Sequence, residues 1–121
     1  MKIGITSQGD NLDAQVDPRF GRCPYFIIID TDKPGFEAIQ NPNVNGMGGV
    51  GVQSGQFMSE KQVKAVLTGN VGPNAFRTLQ AADIEIITGI SGSVKEAIEK
   101  YKSGVLKPVD DSNVDSKFGM G

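Results

Sequence analysis

Polar and apolar positions alternate in KIGIT, residues 2–6, and turn formers follow, so the chain is predicted to open with a β-strand. Residues 7–24 hold Gly9, Asp10, Asn11, Asp13, Asp17, Pro18, Gly21 and Pro24 among few aliphatics, which predicts a loop long enough to have a task of its own. YFIIID, 25–30, is apolar at successive positions, the pattern of a strand buried on both faces and expected near the centre of a sheet. TDKPG, 31–35, is a turn, and FEAIQ, 36–40, resumes alternation, so the second and third strands should form an antiparallel hairpin.

The period then changes. Val50, Ser54, Phe57 and Met58 are spaced for a helix over about 50–61. VKAVLTG, 63–69, predicts a buried strand, PNAFRTLQAA, 73–82, a helix with Ala75, Phe76, Leu79 and Ala82 on one face, and IEIIT, 84–88, a fifth strand. The last helix, 93–103, has Ser93 and Glu96 in a capping-box pattern, an apolar face of Val94, Ala97, Ile98 and Tyr101, and Gly104 at its C-terminal cap. The order β-β-β-α-β-α-β-α predicts an α/β fold: a five-stranded mixed sheet with one antiparallel hairpin strand, helices on its faces, and strands one, four and five parallel. One domain is expected over 1–106, and the polar, aperiodic 107–121 is expected to be a flexible tail.

Composition narrows the chemistry. A chain of 121 residues suits one domain, and it carries no apolar run of membrane-spanning length and no secretory signal pattern, so a cytoplasmic location is expected. Twelve basic and fourteen acidic residues are dispersed without a cationic stripe, which argues against nucleic acid as a partner. The single cysteine, Cys23, excludes an internal disulfide, and the lack of histidine removes the commonest metal ligand and general base.

Gly46, Gly48 and Gly51 spell G-x-G-x-x-G ahead of the first helix, yet the next strand ends in Leu67, Thr68, Gly69 and Asn70, with no carboxylate to hold a ribose. NGMGGVG, TGNVGPN and TGISGS nevertheless place glycine or a small polar residue before each of the three helices. Unpaired N–H groups and the partial positive charge of a helix start can hold an anion where no side chain intervenes. The candidate contacts are Gly46, Gly48 and Gly49 at the first junction, Gly69, Asn70, Gly72 and Asn74 at the second, and Ser91 and Gly92 at the third. The competing explanation is that these glycines serve only sharp turns.

VDPRFGRCPYF, 16–26, supplies a second set: Arg19, Phe20, Gly21, Arg22 and Cys23. Nearby guanidinium groups favour a thiolate, so Cys23 is a candidate metal ligand, against the alternative of a small buried apolar residue. The arginines either clamp an anion or pair with Asp10, Asp13 and Asp17, and those aspartates, with Asp30 and Asp32, read as a solvated loop face more readily than as a divalent-metal site.

VDPRFGRCPYF, GMGGVGVQSGQ, LTGNVGPNAFRTL and SGSVKEAIEKYKSGVL, in this order from Met1 to about Leu106, resemble the dinitrogenase iron-molybdenum cofactor biosynthesis family, to which NifX, the C-terminal domain of NifB, NafY and the orange protein belong. The resemblance implies a ribonuclease H-like fold and a non-catalytic binding or carrier role for an anionic metal-sulfur cofactor such as an iron-molybdenum cluster, with a protein partner for its transfer. NifX-like members carry a histidine just before the Phe-Gly of the loop, a candidate ligand; here that position is Arg19. The competing classes are a regulatory or interaction module binding a nucleotide or a protein, and a nuclease, for which the first strand lacks the necessary carboxylate.

Overall fold

A computed structural model of the chain describes residues 1–43 and 49–110. The elements are β1 (Lys2–Ser7), β2 (Tyr25–Asp30), β3 (Glu37–Gln40), α1 (Val50–Glu60), β4 (Val63–Leu67), α2 (Pro73–Ala81), β5 (Glu85–Ile87) and α3 (Val94–Lys102). They form one five-stranded sheet in the order β3-β2-β1-β4-β5. β2 pairs antiparallel with both β1 and β3, while β1, β4 and β5 run parallel. The expected element order and mixed sheet are present, with one adjustment. β1 takes the central place, and β2, although buried along most of its length, is next to the edge. An apolar run reports that both faces are covered, and two helical layers cover β2 as well as the centre.

Period-two alternation divides the core between the faces of the sheet. Cys23, Phe26, Ile28, Val66 and Ile86 lie on the face that packs α1 and α2 through Met58, Ala75, Phe76 and Leu79. Ile3, Ile5, Ile27, Ile29, Leu67 and Ile87 lie on the opposite face, against Val94, Ala97 and Ile98 of α3. The result is three layers, two helices on one side and one on the other.

Close approach between α1 and α2 comes from small residues one turn apart. A Cβ added to Gly51 would stand 3.0 Å from Ala75 Cβ, and one added to Gly55 would stand 2.9 Å from Thr78 Cγ2. The two helices therefore meet without intervening side chains, and their first turns lie side by side. Val109 complicates the tail expected from residue 107: its N–H donates to Ile86 O at 2.8 Å and its side chain packs on the core, because β5 is an edge strand with backbone acceptors to offer. The rest of that segment, 111–121, lies outside the described residues.

Candidate functional site

The long loop between β1 and β2 is bolted down in two halves with different consequences. In its first half, Gln8 N–H donates to Gln15 O and Val16 N–H to Gly92 O, both at 2.9 Å, which lays the loop across the start of α3. Val94 N–H then donates to Ala14 O and Lys95 N–H to Leu12 O, each at 2.9 Å, and Glu96 N–H donates to Ser93 Oγ at 3.1 Å. Glu96 Oε1 accepts from Ser93 N–H at 3.0 Å and completes the capping box. The donors that a helix start leaves unpaired are all taken here, and a carboxylate stands beside them. The capping hydrogen bonds hold the Glu96 carboxyl below its ordinary range.

At the third junction, Ser91 and Gly92, where the sequence suggested an anion cup, the N–H groups of the helix start are bonded within the protein. Gly92 has φ of +88°, so it serves a turn, and its carbonyl is occupied by Val16. The backbone conformation was legible from sequence. The partner that takes the N–H groups arrives from residues 12–14, far away in the chain.

The second half of the loop crosses to the ends of β1 and β4. Asp17 N–H donates to Thr6 O at 2.9 Å, and the Thr6 hydroxyl lies 2.7 Å from Asp17 O and 2.8 Å from Thr68 Oγ1. Phe20 N–H donates to Asn70 O at 3.1 Å, and Asn70 Nδ2 to Pro18 O at 3.0 Å. Gly69 is dictated by this crossing, since a Cβ there would fall 2.6 Å from Pro18 Cα and 2.9 Å from Pro18 O. Gly21, at φ of +106°, brings its Cα side to within van der Waals reach of the first turn of α1, where an added Cβ would stand 3.2 Å from Gly51 N.

Arg19, Phe20, Gly21, Gly69 and Asn70 thus come together with the starts of α1 and α2. α1 begins at Gly49, in a left-handed conformation, and α2 at Gly72 with Pro73 in its first turn; neither start has a side-chain cap. The N–H groups of Val50, Gly51, Val52, Asn74 and Ala75 have no acceptor among the described residues, in contrast to those of α3. Gly46 and Gly48 lie outside the described residues.

Arg19 is engaged by Asp17 in a fork: Nε donates to Oδ1 at 3.2 Å and Nη2 to Oδ2 at 3.1 Å, while Arg19 N–H also donates to Oδ1 at 2.8 Å. Asp17 is 1% exposed, whereas the Arg19 side chain is 61% exposed. Pairing with Asp17, left open by the sequence, is therefore realised for Arg19. Asp10 and Asp13 take no part, and among the described residues no three carboxylate or thiol groups gather to hold a metal.

Cys23 is fully buried. Burial, seconded by the Asp17 charge, pushes its thiol up to about 12, and hydrogen bonds from the backbone of Gly21, Cys23 and Ser7 offset only part of this. The expected effect of neighbouring guanidinium groups is overruled by desolvation, and the side chain is the small apolar core residue of the alternative reading. Reading the sequence also missed Asn41. Its Nδ2 donates to Gly21 O at 2.9 Å and to Cys23 O at 2.8 Å, and it is 2% exposed, so it fixes the Gly21 turn from below. The available signal was an Asn-Pro pair directly after the third strand.

These elements define a class of protein: a small three-layer α/β domain whose loop and two uncapped helix starts share one rim, built from backbone donors and a tethered arginine. The particular family follows from comparison with known proteins. The model of the dinitrogenase iron-molybdenum cofactor family matches residues 1–104, and the chain belongs to that family. An uncharacterized protein of Methanocaldococcus jannaschii is 30% identical over 110 residues, covering 88% of this chain and 90% of the relative. The apo form of the orange protein from Desulfovibrio gigas superposes with a TM-score of 0.89 at 32% identity, over 93% of this chain and 95% of that one. A putative NifB protein from Thermotoga gives a TM-score of 0.77 at 36% identity, over 88% and 91% of the two chains. No helix among the described residues is long and apolar enough to cross a membrane.

Proposed function

We propose that the protein is a small non-catalytic carrier that holds an anionic metal-sulfur cofactor or its precursor, such as an iron-molybdenum-type cluster or a related metal oxyanion, at the rim between α1 and α2. The observation that carries this reading is the pair of uncapped helix starts set side by side against Gly21 and the Arg19 loop. Family membership and the likeness to the orange protein and the putative NifB protein support a role in handling such a cofactor. The strand order and the two-plus-one helix layers support a ribonuclease H-like assignment, and the carrier would work in the cytoplasm and hand its cargo to a protein partner.

The donor set decides how the cargo is held. Thiolate and imidazole are the side chains that bind a metal-sulfur cluster directly most often, but the chain has no histidine, its one thiol is buried and protonated, and among the described residues no three carboxylate or thiol groups gather. The residues fit an anion instead: backbone N–H groups at two helix starts and a guanidinium, all donors. When bound, the cluster supplies negative charge and sulfide or oxide acceptors. Arg19, at the position where NifX-like members carry histidine, fits charge pairing in place of ligation. The same donors leave the nuclease reading without support, since β1 contributes no carboxylate.

Anaerobic mixing of the metal-free protein with tetrathiomolybdate or molybdate, followed by desalting, metal analysis, visible spectroscopy and thermal unfolding, tests the proposal. Retained metal and a raised Tm are expected, because a ligand at a hundred times its Kd stabilises the fold by about 2.7 kcal/mol. Protein that emerges metal-free and unstabilised, yet is stabilised by a nucleotide, would favour the regulatory alternative.

A further inference from the structure

The buried Asp17 beneath an exposed Arg19 has a consequence beyond tying down a loop. A guanidinium has two edges that accept a forked partner: Nε with Nη2, and Nη1 with Nη2. Asp17 occupies the first edge. Nothing among the described residues occupies the second, and the side chain is 61% exposed. Asp17 is itself fixed through its main chain, by Asp17 N–H to Thr6 O and by the Thr6 hydroxyl to Asp17 O, so the tether ends on the central strand.

We propose that Asp17 is a positioning residue that sets Arg19 to receive a tetrahedral oxyanion on its Nη1–Nη2 edge, and that this edge selects two-oxygen acceptors at the carrier rim. The inference rests on the carrier reading and makes it more specific. The pair is formally neutral, so recognition comes from the direction of the donors more than from net charge. Three links fix the backbone that carries Arg19, and Asp17 orients its guanidinium from there: Arg19 pairs in parallel with Asn70 beside the start of α2, Phe20 N–H bonds to Asn70 O, and Gly21 packs against the start of α1. A lysine at position 19 keeps the charge and has no edge to offer.

Opposite signs make the test decisive. If charge alone attracts the anion, Asp17→Asn removes a negative group and tightens molybdate binding. If orientation matters, the same change breaks the fork and weakens binding, and we expect a loss of about tenfold or more, the size of one charge-assisted hydrogen bond. Arg19→Lys is expected to weaken molybdate and inorganic phosphate to the same degree. Isothermal titration with each anion measures the affinities, and the Arg19 Nε–H resonance reports the tether without any anion. That proton should be protected from exchange in the wild type and lose protection in Asp17→Asn while the backbone spectrum is retained.

Tighter binding by Asp17→Asn, wild-type affinity in Arg19→Lys, or an unprotected Nε–H in the wild type would each overturn the proposal. Should Asp17→Asn fail to fold, Arg19→Lys and the wild-type Nε–H decide it. A wild type that binds neither anion and no tetrathiomolybdate, with a protected Nε–H, locates the failure in the carrier reading, and the proposed role of the edge falls with it.

Discussion

The starts of α2 and α3 look alike in sequence, TGNVGPN against TGISGS, and fold into opposite electrostatic situations. At α3 the loop carbonyls of Leu12 and Ala14, the Ser93 hydroxyl and the Glu96 carboxylate consume the donors and add negative charge. At α2, as at α1, no side chain caps the helix, and the Arg19 loop approaches instead. A glycine before a helix reports what conformation the backbone must adopt. Whether the N–H groups remain available is decided by segments that arrive from elsewhere, here the two halves of one loop.

The largest effect that separates these regions should come from Gly69→Ala. Its Cβ would collide with the Pro18 backbone, which cannot yield as a flexible side chain would, and a loss of about 3 kcal/mol is expected in urea unfolding. The anion response should disappear with it, because the Arg19 loop must move. Retention of both stability and response would break the claim that the crossing at Pro18 builds the rim.

Next in size is a pH effect that distinguishes donors from ligands at the rim. The Cys23 thiol is raised to about 12 from an ordinary 9.0, so the native state keeps its proton where the unfolded state loses it. The associated stability is complete below pH 9 and is lost progressively as pH rises from 9 towards 12. Cys23→Ala should abolish that alkaline sensitivity in unfolding experiments, and the native thiol should react with thiol reagents only on unfolding. A rapidly titrating, reactive Cys23 near neutral pH would return it to the list of ligands.

Smaller still, Ser93→Ala removes the cap of α3 and should cost about 1 kcal/mol while leaving molybdate and tetrathiomolybdate affinities unchanged. Coupling between that cap and anion binding would mean that the two regions are less separate than their hydrogen bonds indicate.

Much of this architecture was legible in the chain. The apolar run YFIIID, the turn at TDKPG and the alternation of FEAIQ marked the hairpin, the period of PNAFRTLQAA marked α2, and Ser93 with Glu96 marked the capping box that is present. Two kinds of information were not legible. Centrality was one, since β2, YFIIID, is more apolar than β1, KIGITS, although β1 holds the middle of the sheet. Long-range pairing was the other: nothing in a local pattern connects Leu12 to Lys95, Pro18 to Gly69 or Asn41 to Gly21. The burial of Cys23 was hidden for a related reason, because sequence proximity to Arg19 and Arg22 says nothing of the apolar side chains of Phe20 and Phe26 that share its core cluster.

The most direct measurement is a two-dimensional amide spectrum of the protein titrated with molybdate and tetrathiomolybdate. The account predicts shifts concentrated at Gly21, Gly51, Val52, Asn74 and Ala75, with Val94, Lys95 and Glu96 still. Shifts centred on the start of α3, or spread evenly over the surface, would contradict it.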